Sequence, residues 1–281
     1  MKTYNIIGDI HGHHEELKKL LILLGYRENK NGFYHPKNDQ ALFVGDLINR
    51  GPSSKSVLDI VKKMHMNKQA RVVLGNHEFN LIQQFFIKPN AIDSTLRKYI
   101  DWLRTLPLFL DLPELRIVHA AWHFPSIEKL KHKSCKDDQF IESTLKKGSG
   151  LKKAVRAILQ GIKINVPDNI QYYDRFKIKR NKARIKWWLK YKNEFDGSSF
   201  LPKCEKLVDT KFYSTPEVET SLYPKTEKPV FFGHYCLPPE ESKIYDNIIC
   251  TDGCVTYGRE LWAYSFKSTK ISKSSLISAK L

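Results

Sequence analysis

Acidic side chains are scarce in this chain: 30 Asp and Glu stand against 47 Lys and Arg over 281 residues, a formal net charge of +17. A deficit of that size excludes an acidic, cation-buffering protein, and its positive field attracts phosphate-bearing ligands. Solubility alone would also account for it, and composition does not choose between the two. Cysteine is sparse as well. The five (Cys135, Cys204, Cys236, Cys250, Cys254) are odd in number and form no CxxC pair. Neither a disulfide framework nor a zinc ribbon is indicated, so all five read as reduced, mostly buried thiols. Long apolar runs are missing too: Leu20 to Leu24 with Gly25 falls far short of the roughly 20 residues a membrane span needs. MKTYNII has no signal-peptide core or cleavage site. The expectation is a cytoplasmic protein without a membrane partner. No internal repeat is present. What remains is ordinary globular text, 41% hydrophobic and 27% charged, long enough to bury a sizeable core.

Residues 1 to 124 alternate strand-like and helix-like segments, which argues α/β. Tyr4–Ile7, Ala41–Val44, Arg71–Leu74 and Arg116–His119 read as strands. His13–Leu24, with Leu17, Leu20, Leu21 and Leu24 at helical spacing, reads as a helix closed by Gly25. Further helices are expected from Ser53 to Met66, from Glu78, and from Ser94 to Arg104. Asn31-Gly32 marks a hairpin-like turn. Strand-like text returns at Pro229–Phe232, Asn247–Thr251 and Glu260–Phe266, followed by a polar tail expected to be loosely held. Between them, residues 126 to 228 hold 24 Lys and Arg against 13 Asp and Glu. Most of the net charge lies in this stretch. The arrangement reads as a single domain over 1–281, with 126–228 as a basic, partly helical insertion or cap. Within it, Pro167-Asp168-Asn169 reads as a turn and Leu151–Leu159 as a helix.

Six potential metal ligands stand at the edges of the apolar runs: Asp9 and His11 in GDIHG, Asp46 in GDLINRGP, Asn76 in GNHE, His119 in IVHA and His234 in FFGHY. Each falls on a loop after a strand. Any one alone reads more simply as a cap or a buried histidine. Carboxylate, amide and imidazole arriving together at strand ends are what a two-metal hydrolytic centre requires. Asp46, with two oxygens, suits a bridging position, and a shared water between two cations would lose its proton near neutral pH. Arg50 offers a planar fork for phosphate oxygens. His77, beside Asn76, is placed to act as general acid.

GDIHG, GDLINRG, GNHE, VHA and GH, in this order, resemble the motifs of the calcineurin-like metallophosphoesterases, in their phosphoprotein-phosphatase branch. The likeness runs from residue 8 to about 266 apart from the basic middle. It implies Asp9, His11 and Asp46 on one metal and Asp46, Asn76, His119 and His234 on the other. It also implies a four-layer α/β/β/α sandwich and direct hydrolysis without a covalent phosphoenzyme. Two positions depart from the protein phosphatases of the branch. Asn49 stands where an aspartate usually orients the acid histidine, and Leu74 where an arginine usually precedes GNHE. GDLINRGPSSKSVLDIV, VVLGNHE, YIDWLRTLPLFLDL and TDGCVTYGRELWAYSF are more similar to bacterial symmetrical diadenosine tetraphosphate hydrolases, although Thr251-Asp252-Gly253-Cys254 replaces a DTGC-like order.

Arg175–Lys192 carries nine Lys and Arg and no acid, with Phe176, Trp187, Trp188 and Tyr191 interleaved. As an amphipathic helix it would bury Ile185, Trp188 and Leu189; its charges would attract anionic substrate, and Arg184 stands as a substitute for the missing arginine. Dinucleoside polyphosphates or related nucleotide ends, including RNA 5′ ends, are the expected substrates. Protein serine/threonine phosphatase is the alternative, and a non-catalytic nucleic-acid-binding protein a remote one. Substrate contacts fall to Arg50, Asn76 and Arg184. The metals are two divalent ions, manganese first, with iron, zinc, nickel or cobalt also compatible. No obligate protein partner is implied.

Overall fold

The computed structural model describes residues 3–166, 171–173, 178–189, 194–201, 211–213, 222–237, 240–267 and 271–280. Two five-stranded sheets form its centre. The first runs in the order Leu276–Ala279, Leu261–Phe266, Tyr4–Ile7, Gln40–Phe43 and Ala70–Val72; the second runs Ile244–Tyr245, Ile248–Cys250, Val230–Phe232, Arg116–Val118 and Phe109–Asp111. Tyr4–Ile7, Gln40–Phe43 and Ala70–Val72 are parallel, as are Arg116–Val118, Val230–Phe232 and Ile248–Cys250.

The two-residue period of these strands sorts the core. Ile6, Leu42, Ile117, Phe231 and Ile249 are fully buried in one cluster shared by both sheets. Their neighbours Ile7, Phe43, Val118, Phe232 and Cys250 point the other way, into a second cluster with helical residues such as Leu17, Leu20, Val57, Val61, Leu130 and Ile158. Each large apolar side chain so buried contributes about 1.5–3 kcal/mol. This gives the α/β/β/α layering that the resemblance implied.

Several local expectations hold closely. His14–Leu23 and Ser54–Met66 are helices, the second capped by Ser53 accepting from the backbone N–H of Ser56, and Gly25 follows the first with φ +91°. Arg27–Asn29 and Gly32–Tyr34 form the hairpin. Gly150–Gln160 is the helix expected at Leu151–Leu159.

Four expectations need correction. The helix Ser94–Arg104 is two short pieces, Ser94–Arg97 and Ile100–Leu103. The polar tail is not loose: Leu276–Ala279 is an edge strand paired with Leu261–Tyr264. The described part of the basic stretch, 178–189, is no helix, since Lys179–Arg180 and Lys182–Ile185 are strands, the latter in a three-stranded sheet with Lys163–Asn165 and Phe200–Leu201. Tertiary pairing and burial of Ala183 and Ile185 outweigh a helical pattern that also fits period two. Finally, Cys236 and Cys254 are joined as a disulfide. Both occupy turns with positive φ, and both donate their backbone N–H to the Asp252 carboxylate, at 2.6 and 2.8 Å. That shared acceptor brings their Cα atoms to 4.8 Å. Cys135 and Cys250 are free and buried, as expected; Cys204, Phe176, Tyr191 and the turn at Pro167-Asp168-Asn169 lie outside the described residues. No helix among the described residues is long and apolar enough to cross a membrane.

Candidate metal centre

All six expected ligands meet where the parallel strands of both sheets end. Asp9 and His11 follow Tyr4–Ile7, Asp46 follows Gln40–Phe43, Asn76 follows Ala70–Val72, His119 follows Arg116–Val118 and His234 follows Val230–Phe232. Strand carboxyl ends are where open α/β sheets place their ligand sites. Two three-residue groups capable of holding an ion share one carboxylate: His11, Asp46 and His77, and Asp46, His119 and His234. Asp46 Oδ2 lies 3.5 Å from His11 Nε2, 3.4 Å from His119 Nε2 and 4.0 Å from His77 Nε2. Asp9 Oδ2 is 3.9 Å from His11 Nε2, and Asn76 Oδ1 is 3.2 Å from His119 Nε2.

The loops carry strained backbone and approach one another closely. His11, Asp46, Asn49, Arg50 and His234 all have positive φ, between 46° and 70°. Such conformations persist only where the surroundings over-determine them, and they concentrate at functional sites. Gly75 is required by contact: a Cβ there would stand 2.2 Å from both the Asp46 nitrogen and its Oδ1. The His77 backbone N–H donates to Asp46 Oδ1 at 3.0 Å, and that of His234 donates to both oxygens of Asp9 at 3.0 Å.

Ring orientation fits metal ligation. His11 Nδ1 lies 3.0 Å from the Ile48 carbonyl and His119 Nδ1 lies 2.8 Å from the Val44 carbonyl. A ring that donates Nδ1–H to a carbonyl presents Nε2 to an ion. The electrostatics fit too. Burial, then Asp252, pushes the Asp9 carboxyl well above the carboxylate range. Burial would raise Asp46 as well, but the imidazoles of His119, His11 and His77 pull it well below. Burial opposes a charge on His119, yet Asp46 and then Asp9 hold its imidazolium, to about 9. The buried Asp46 carboxylate demands a cation, and when no metal is bound His119 supplies it. Hard oxygen and borderline nitrogen donors around a shared carboxylate suit two divalent ions.

Arg50 is exposed at the mouth, with Nη1 3.5 Å from His11 Nε2. Arg184 reaches the centre from the basic stretch: its Nη1 donates to the His234 carbonyl at 3.3 Å, and its guanidinium lies over the Tyr235 ring at 4.8 Å. His77 Nδ1 lies 2.8 Å from the Asn49 amide nitrogen. With that NH2 donating, Nδ1 is the acceptor and the ring proton sits on Nε2, facing the centre. Burial, against the pull of Asp46, lowers His77 to about 4, so the ring is neutral at pH 7.

Two residues escaped sequence reasoning. Glu78, fully buried, accepts from four backbone N–H groups, those of Asp46, Leu47, Ile48 and Gly75, at 2.8 to 3.2 Å. It is the anchor of the Asp46 loop, and the signal was the final letter of GNHE. Asp252 follows Ile248–Cys250 and clamps the turn two residues beyond His234 through Cys236. Its swapped order, Asp-Gly-Cys after Thr251, hid that role. The tryptophans are structural. Trp187 is fully buried, packs on Phe232 with centroids 5.2 Å apart, and donates Nε1–H to the Ala120 carbonyl at 2.9 Å. Trp188 packs on Tyr235 at 4.7 Å. Both brace the loops carrying His119 and His234.

A family model described as calcineurin-like phosphoesterase matches residues 3–143, and the chain belongs to that family. An asymmetrical bis(5′-nucleosyl)-tetraphosphatase from Oceanobacillus iheyensis is 32% identical over 141 residues, covering 43% of this chain and 56% of the relative. A symmetrical bis(5′-nucleosyl)-tetraphosphatase from Vibrio vulnificus is 28% identical over 269 residues, 90% of this chain and 91% of the relative. The chain thus spans about half the length of some curated relatives it matches, and nearly all of another. A solved protein serine/threonine phosphatase from Saccharomyces cerevisiae shares the fold, with TM-score 0.55 and 12% identity over 100% of this chain and 80% of its own.

Proposed function

We propose that this protein is a two-metal phosphohydrolase of phosphoanhydride bonds, acting on dinucleoside polyphosphates such as diadenosine tetraphosphate or on related nucleotide ends, capped RNA included. Asp9, His11 and Asp46 would hold one ion, and Asp46, Asn76, His119 and His234 the other. When bound, two divalent ions supply a water deprotonated near neutral pH and neutralise charge on phosphoryl oxygens. Arg50 and Arg184 flank that centre from two sides and would hold phosphate oxygens by charge-assisted hydrogen bonds. Asn76 would add its amide N–H.

The observation that carries the choice of bond is the contact between Asn49 and His77, 2.8 Å. An amide fixes the tautomer that presents Nε2–H to the leaving oxygen, but it brings no charge to stabilise an imidazolium. A serine alkoxide is a strong base and needs a strong acid partner; a phosphate leaving from an anhydride is a weak base and needs little more than a hydrogen bond. The site is therefore better matched to an anhydride than to a phosphoserine. The tetraphosphatase names of both relatives agree with this reading.

Product analysis with manganese tests it, offering diadenosine tetraphosphate and a phosphoserine peptide in parallel, with Asp46→Asn as control. Two ADP per dinucleotide, with little peptide turnover, is the expected result; ATP with AMP would place the cut asymmetrically but keep the reading. Rapid release of phosphate from the peptide with the dinucleotide untouched would make the chain a protein phosphatase. Activity of Asp46→Asn equal to that of the parent on every substrate would leave only the non-catalytic nucleic-acid binder.

A further inference from the structure

Lys163 and Arg184 are directly opposed partners on the antiparallel strands Lys163–Asn165 and Lys182–Ile185. Like charges directly opposite one another destabilise a sheet, and a local conflict of this kind marks a position kept for function. The Lys163 side chain is exposed. Desolvation comes first, followed by Arg184, Arg156, Arg180 and Lys182, in pulling its ammonium down to about 8. The charges it feels most strongly are all positive.

The cluster is continuous with the metal centre. Arg184 donates to the His234 carbonyl. Lys163 Nζ donates to Gln160 Oε1 at 3.3 Å, and Gln160 lines a cavity of about 120 Å3 that opens beside the ligand Asn76. Arg156, Lys152, Gln83 and Thr144 line the same cavity. Gly161, φ +80°, lets the strand come this close: a Cβ there would meet the Tyr235 hydroxyl at 2.1 Å and Arg184 Cδ at 3.0 Å.

We infer that Lys163, Arg156 and Arg184, gathered beside the candidate metal centre, form a subsite for the phosphates of a polyphosphate chain that are not attacked, so that the insertion selects oligophosphates over single phosphates. The inference deepens the proposed function and rests on its assignment of the metal centre. A chain with one phosphate at the metals would lay its next phosphates among these cations, where each would gain a charge-assisted hydrogen bond and relieve the repulsion between opposed cations.

The test uses the full-length, manganese-loaded protein hydrolysing p-nitrophenyl phosphate, with inorganic tripolyphosphate and orthophosphate as competitors at fixed free manganese. In the parent, tripolyphosphate should compete about tenfold or more better than orthophosphate. Lys163→Gln and Arg156→Gln should each cut that ratio severalfold, and together abolish most of it, whereas Lys163→Arg should retain it. Because the ratio is internal to each variant, turnover of the monoester certifies a folded centre. Equal competition by the two anions in the parent, or a ratio unmoved by the double substitution, overturns the subsite. A parent that fails to cleave diadenosine tetraphosphate yet shows the tenfold preference would overturn the dinucleotide reading alone and support the subsite.

Discussion

The loops at the strand ends and the basic insertion both reach the metal centre, but by different physical means. The loop residues are held by backbone: Asp46, Leu47, Ile48 and Gly75 by the Glu78 carboxylate, His234 by Asp9, and the rings of His11 and His119 by carbonyls. Among the described residues the insertion is held chiefly by side-chain packing, Trp187 and Trp188 against Phe232, Tyr235 and the Ala120 carbonyl, beside backbone bonds from Ala120 and Ala121 to the Ile158 carbonyl. Backbone anchoring makes a centre rigid to tenths of an ångström, as bond-breaking chemistry demands. Side-chain packing tolerates change, so the insertion can vary without moving the loops that carry the candidate ligands.

The largest expected effect breaks the first region. Asp46→Asn removes the charge shared by both ligand groups and should lower turnover of every substrate by roughly ten-thousandfold, a loss of several kcal/mol in transition-state stabilisation. Metal analysis should show the content falling with it. Next comes the keystone of the second region. Trp187→Ala leaves a cavity beneath the insertion and frees the Ala120 carbonyl, and should cost about 3–5 kcal/mol in urea unfolding. We propose that scaffold and insertion fold as one domain, so the transition should stay single. Two separated transitions would mean the insertion is an independent unit, and the contrast above would then be one between domains.

The contrast also accounts for what could be read beforehand. Asp, His and Asn after short apolar strands are local signals, and each of the six candidate ligands lies within four residues of its strand. Arg50 and His77 were named as candidates because they stand within four residues of those positions. Glu78 was visible but its work was not, since four backbone donors from two loops converge on it only in three dimensions. In the insertion the signals conflicted. KARIKWW fits both periods, and the pairing of Arg184 with Lys163 joins positions 21 residues apart through a segment with no local code. The disulfide was missed for the same reason, with Cys236 and Cys254 separated by 18 residues and gathered by Asp252.

A smaller effect separates the regions by the sign of their proton exchange. His119, raised to about 9, carries protons on both ring nitrogens at pH 7 in the metal-free protein. Ligation through Nε2 requires one to leave, so metal loading at pH 7 should release about one proton from this group. The release should fade, and apparent affinity should level off, as pH rises through 9. Anion binding at Lys163, lowered to about 8, should instead take protons up near pH 8, because an anion favours the ammonium. Calorimetry in buffers of differing ionisation enthalpy reads both. Release on tripolyphosphate binding, or none on metal loading, would reverse the assignment of one region or the other.

The smallest change is the most discriminating between substrates. Asn49→Asp places a carboxylate 2.8 Å from His77 Nδ1, in the position of the amide nitrogen. The new charge favours the imidazolium, so the His77 pKa should rise from about 4 towards neutrality, and the ring becomes able to give up a proton near pH 7 and not merely a hydrogen bond. An alkyl phosphate such as a phosphoserine peptide, whose leaving oxygen is strongly basic, should gain about threefold to tenfold in kcat. Diadenosine tetraphosphate, whose leaving group is an already stable phosphate, should change by less than about twofold. A gain confined to the alkyl ester means that Asn49 is suited to anhydride cleavage and that the scaffold shares in choosing the substrate. A gain on the dinucleotide as large as that on the peptide would mean that leaving-group protonation limits both, and the preference for anhydrides would then rest on the insertion alone.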